Sequence, residues 1–207
     1  MHDPTHKFEG EVSPGTEKLA KAISLLGQPP FLAIVPFVCI CMVLSDDLQK
    51  GIICSAASVF AATVLPVVNI MFFSRKYNNS DRMDVVNKED RMQPLIAGVL
   101  GYLVGVILLY LLDAPWPATV LMICYTVVTA AVAVITPYWK ISIHTCGVIG
   151  PSLGLAFVFW PVGLLYLLIL PPVAWSRYVL KKHTPMQLLM GALLGLVLTL
   201  IIFWLLL

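Results

Sequence analysis

Six stretches of this chain, Phe31–Leu44, Ile52–Phe73, Leu95–Leu112, Ala118–Pro137, Thr145–Trp175 and Met186–Leu207, contain no Asp, Glu, Lys or Arg. A soluble domain has no means of covering that much apolar surface, whereas lipid demands it and requires each backbone polar group to be satisfied within the segment. With 59% hydrophobic and 12% charged residues over a length of 207, the chain reads as an all-α, polytopic membrane helix bundle. The run from Thr145 to Trp175 exceeds what one upright helix needs at about 1.5 Å per residue across about 30 Å of hydrocarbon. Trp160-Pro161-Val162-Gly163 interrupts it, so two short helices in a hairpin are expected there. The expected total is six to seven spans, and seven crossings if the short, Pro36-containing run Phe31–Leu44 is one of them.

With seven crossings the polar stretches Ser74–Pro94, Tyr138–His144 and Ser176–Thr184 share one face with the N-terminal tail. Of the 13 lysines and arginines only Lys50 falls on the other face, which predicts a cytoplasmic polar face. Trp116, Trp139, Trp160, Trp175 and Trp204 lie near span ends, as an interfacial belt requires. Gly101-xxx-Gly105, Gly150-xxx-Gly154 and Gly191-xxx-Gly195 allow close helix contact. Residues 1–28 read as a polar, solvated tail with no secretory signal, ending in a short amphipathic turn near Leu19–Ile23, and 29–207 as one transmembrane domain. The five cysteines form no CxxC pair and read as small buried thiols.

Three co-facial segments supply chemistry together. The first brings Lys88 and Arg91 ahead of a helix starting near Pro94; the second brings Ser142 and His144; the third, Ser176-Arg177-Tyr178-Val179-Leu180-Lys181-Lys182-His183, brings Arg177 and His183. Two imidazoles, several cations and a hydroxyl near helix N-termini make an anion site equipped with a base and an acid. Lys181, Lys182, Arg75, Lys76 and Lys140 read as headgroup anchors, and His2 and His6 as tail residues.

These residues resemble the type 2 phosphatidic acid phosphatase superfamily, whose motifs are Lys-x6-Arg-Pro, Pro-Ser-Gly-His and Ser-Arg-x5-His-x3-Asp. Ser176-Arg177-x5-His183 matches the third closely; Ser142-Ile143-His144 keeps part of the second; Lys88-x2-Arg91-x2-Pro94 keeps the chemistry of the first without its spacing. The resemblance implies metal-independent phosphoryl transfer without a cofactor. His183 would attack phosphorus, His144 would protonate the leaving oxygen and then activate water, and Lys88, Arg91, Ser142 and Arg177 would hold the phosphate oxygens. The implied substrate is a lipid phosphate or diphosphate, of isoprenoid or phosphatidate type, presented by the bilayer. No nucleic acid partner is expected.

The main departure is Gln187, where the family carries an aspartate. Gln187 either fixes the tautomer of His183 through its amide oxygen, or completes a capping box in Thr184-Pro185-Met186-Gln187, or does both. Two other readings stay open. Asp81-xx-Asp84 with Asp90 is a faint echo of the aspartate-rich magnesium loops of UbiA-type prenyltransferases, though no second such loop exists. A non-catalytic transporter or scaffold would need ionisable residues inside the spans, which are missing.

Overall fold

The computed structural model describes residues 8–77, 85 and 89–207, and those residues form helices and turns without a strand. In chain order the helices are α1 (Pro14–Leu26), α2 (Pro29–Leu32), α3 (Ile34–Leu44), α4 (Leu48–Val59), α5 (Leu65–Lys76), α6 (Met92–Leu111), α7 (Trp116–Ile135), α8 (Ile143–Val158), α9 (Leu170–Val179) and α10 (Pro185–Leu206). A π-helical turn, Phe60–Val64, joins α4 to α5, and 3-10 turns at Glu89–Arg91 and Val162–Ile169 lead into α6 and α9.

The helix starts follow from local chemistry. Ser13, Asp47, Ser142 and Thr184 cap α1, α4, α8 and α10 by accepting a backbone N–H from three residues ahead. Proline occupies the first turn of α1, α2, α7 and α10, where its missing N–H leaves no bond unmade.

Among the described residues, five segments are long and apolar enough to cross a membrane: Leu48–Lys76, Met92–Leu111, Trp116–Ile135, Val162–Val179 and Pro185–Leu206. A sixth results if α1 and the α2–α3 stretch, bent by 56°, count as one broken span. This architecture fits a multi-pass membrane bundle. Along α6, Ile96, Leu100, Leu103, Ile107 and Leu111 form an exposed apolar stripe of the kind lipid covers. The sequence anticipates the break at Trp160-Pro161, and α8 indeed ends at Val158 before it. The two differences in span count lie in α3 and α8. With 16 residues, α8 is about 24 Å long, short of the hydrocarbon thickness. Twelve of those 16 residues are buried, which makes α8 the central helix around which the others pack.

Contacts define two ends of the bundle. At one, Lys50 Nζ bonds Asp46 (3.0 Å) and Asp113 (2.8 Å), tying the α3–α4 loop to the α6–α7 turn. Trp116 Nε1 donates to the Leu206 carbonyl (2.7 Å) at the same end, and Phe157 stacks on Phe203 nearby at 4.8 Å. The other end gathers the starts of α6, α8 and α10. There Arg91 Nη1 reaches the Ile141 carbonyl at a long 3.5 Å, and the Ser142 amide donates to the Gln187 carbonyl at 3.2 Å.

Residues 14–26, expected as solvated tail, instead form α1, which packs along α9 through Ala20, Ser24 and Gly27. A Cβ at Gly27 would collide with Val173 of α9, so the approach depends on that glycine. Close approach also governs α8 and α10: a Cβ at Gly191 would run into Thr145 Oγ1 and the Ser142 carbonyl. Thr145 Oγ1 donates to the Leu188 carbonyl (2.9 Å), and Cys146 Sγ donates to that of Gly191 (2.8 Å), which stitches the two helices together.

Candidate active site

A cavity of about 140 Å³ opens at the gathered helix starts and descends between α5, α6, α7 and α8. Arg91, His144 and His183, drawn from the three polar segments, line it together. All three are almost wholly buried, with His183 only 1% exposed.

The third segment shows how Arg177 and His183 come to be held together. Helix α9 ends after Val179, and Lys181, at φ 57°, reverses the chain in the left-handed region. The returning amides of Lys182 (3.0 Å) and His183 (3.3 Å) both donate to the carbonyl of Arg177. Five intervening residues are what this end-of-helix reversal requires. Arg177 is itself buried, and its Nη1 donates to Ser24 Oγ of α1 at 2.9 Å.

Gln187 performs both tasks that the sequence leaves open. Its Oε1 accepts the Thr184 amide (3.2 Å), and the Gln187 amide donates to Thr184 Oγ1 (3.3 Å), which completes a capping box. The same Oε1 lies 3.2 Å from His183 Nδ1. An oxygen that accepts the Thr184 N–H can only accept from the ring too, so Nδ1 carries the proton. The lone pair then resides on Nε2. His183 is held well below the ordinary imidazole pKa of 6.5, first by burial and then by the positive charges of Arg91, Arg177, Lys140 and His144. A neutral ring among cations can act as a nucleophile toward an anion held beside it.

Arg91, at the end of its 3-10 turn, is oriented by the Val85 carbonyl, to which Nε donates at 2.6 Å. The starts of α6, α8 and α10 add the positive ends of their dipoles to the same region. Ser142 is fully buried behind this front; its hydroxyl caps α8 at the Thr145 amide (3.5 Å). Ser142, Arg177 and Gln187 are not among the residues that line the cavity, so they act on it from the layer behind. Ile143 contributes to the cavity wall. Lys88, Asp81, Asp84, His2 and His6 lie outside the described residues. Among the described residues, no group of three or more His, Cys, Asp or Glu could hold a metal ion.

Four residues escape sequence reasoning. Lys140, read as a headgroup anchor, lies close enough to His183 for its charge to bear on the ring. Ser24 and Gln28, read as tail, support Arg177 and line the cavity respectively. The small residues Ala20, Ser24 and Gly27, recurring at helical spacing, were the available signal for a packed α1. Asn69, the sole amide in the Ile52–Phe73 run, also lines the cavity and donates to the Pro94 carbonyl at 2.8 Å. Compared with protein-family models, curated proteins and solved structures, the chain matches none.

Proposed function

We propose that this chain is a multi-pass membrane phosphatase that removes phosphate from a lipid phosphate or diphosphate through a phosphohistidine. The carrying observation is the pair of imidazoles, His144 and His183, lining one buried cavity beside Arg91, with Nδ1 of His183 fixed by Gln187. In the first step Nε2 of His183 forms a bond to phosphorus as the P–O bond to the lipid breaks. His144 gives its proton to the departing alkoxide. In the second step the now neutral His144 takes a proton from water, the resulting hydroxide attacks phosphorus, and the N–P electron pair returns to Nε2. Arg91 neutralises the equatorial oxygens, and Arg177 and Lys140 add positive charge around them, which favours the charge-spread transition state over the ground state. Gln187, being neutral, orients His183 without stabilising an imidazolium by charge. The reaction needs no metal, and the positive-inside bias of the clustered cations supports a cytoplasmic site.

Phosphate release tests the reading when measured across isoprenoid diphosphates, prenyl monophosphates and phosphatidates, with chelator present and with His183→Ala and His144→Ala alongside. Release that survives chelator and disappears in folded His183→Ala supports it. Release abolished by chelator would point to the magnesium-dependent transferase reading, and release retained in His183→Ala would overturn the phosphohistidine.

A further inference from the structure

The cavity does not end at the imidazoles. Along α6 it is lined by Pro94, Leu95, Gly98 and Tyr102, one face of a helix, and along α7 by residues from Val132 back to Cys124. From His144 to Pro151 on α8 the lining descends about 10 Å, and from Arg91 to Tyr102 about 16 Å. At the bottom Tyr102 and Tyr125 meet edge to face (5.4 Å), and Phe37 leans on Tyr125 at 5.7 Å. Beneath them the packing is closed: a Cβ at Gly105 would come within 2.7 Å of Ala61 Cβ and 3.0 Å of Met122 Sδ.

Resting on the phosphatase reading, we infer that this blind slot takes the tail of the same substrate whose phosphate meets Arg91, and that it admits one chain of limited length. A polar mouth continuous with an apolar shaft matches a single amphiphile, head up and tail down. A C–C bond of about 1.5 Å in a zigzag advances roughly 1.25 Å per carbon, so a 10–16 Å shaft holds about eight to thirteen carbons. The width decides the number of chains. Drawn out over that length, a cavity of about 140 Å³ is narrow, which favours one chain over two. The slot therefore favours a single-chain alkyl or prenyl phosphate or diphosphate over a two-chain glycerolipid.

Because a tail leaves lipid for an equally apolar slot, extra methylenes bring no gain, and the selection is a steric ceiling. The test measures phosphate release from n-alkyl and prenyl monophosphates of about six to twenty carbons in mixed micelles at equal surface fraction, with phosphatidate as the two-chain arm. In parallel, n-alkyl phosphonates, which cannot be hydrolysed, are scored by thermal shift. Both readouts are expected to hold level to about thirteen carbons and then fall on the order of tenfold, as forcing two further methylenes into a filled shaft implies. Gly98→Leu, filling the shaft about 6 Å above Tyr102, moves the ceiling about five carbons shorter. Tyr102→Ala moves it longer, and Tyr125→Phe, which keeps the ring, leaves it in place. The Gly98 site is roomy, since a Cβ there meets only Thr129 Cγ2 at 3.8 Å, so folding is retained. Phosphate release indifferent to length, chain number and Gly98→Leu overturns the slot while keeping the phosphatase. Length-limited phosphonate binding without release keeps the slot and overturns the phosphatase. Neither binding nor release overturns both.

Discussion

Replacing Gln187 separates its two duties. In Gln187→Leu the Thr184 amide and the His183 Nδ1–H both lose their acceptor inside a fully buried site. Each orphaned donor costs about 1–3 kcal/mol, so the variant loses about 2–6 kcal/mol of stability, a large share of the 5–15 kcal/mol typical of a domain. Gln187→Glu has the same length and keeps an acceptor for both donors while adding a negative charge beside a ring that faces Arg91, Arg177 and Lys140. That charge raises the pKa of His183 toward its ordinary 6.5 from the depressed native value. The sign is fixed: a higher pKa protonates the nucleophile sooner as pH falls, so the acid limb of kcat/KM moves to higher pH. The assay is phosphate release against pH for wild type and Gln187→Glu, with thermal unfolding of both and of Gln187→Leu. Acid limbs that coincide, in proteins equally folded, would refute the contact between Gln187 and His183 as the source of nucleophile control.

Other perturbations follow the same geometry. Folding depresses the pKa of His183, so the unfolded chain binds a proton more readily below 6.5; the melting temperature is therefore expected to fall as pH drops through that value, and a His183→Gln variant to lose that slope. Ser24→Ala removes the hydroxyl that accepts from Arg177 Nη1, a charge-assisted bond that costs about 1.5–3 kcal/mol to lose, and thermal unfolding reads the drop. Gly191→Val pushes against Thr145 and the Ser142 carbonyl, so α8 and α10 separate and stability falls by more than about 3 kcal/mol; a melting curve matching wild type would contradict that packing. Vanadate, whose trigonal-bipyramidal form mimics the transition state, is expected to protect both imidazoles from diethylpyrocarbonate, and unprotected rings would contradict the shared site.

The uncharged runs made the bundle legible, since apolar segments of such length leave only helices, and the Trp160-Pro161 break was visible in its proline and glycine. The spacing from Arg177 to His183 was legible as a motif, but its cause, a left-handed Lys181 turning the chain back on the Arg177 carbonyl, has no signature in a lysine. Helix α1 was read as tail because its charges outweigh its small-residue stripe, and only the fit of Gly27 against Val173 shows which pattern governs. The role of Lys140 depends on where its side chain reaches across the bundle, which no local pattern encodes. The central position of α8 was hidden for a different reason: a short apolar helix reads alike whether lipid or protein surrounds it.

The most direct measurement is a rapid-quench reaction of the His144→Ala protein with phosphorus-labelled para-nitrophenyl phosphate, whose leaving group departs without the proton that His144 supplies, followed by peptide mapping. With water activation removed, the label is predicted to accumulate as an acid-labile, base-stable adduct on His183. Label on any other residue, or full phosphate release without a protein-bound intermediate, would contradict the account.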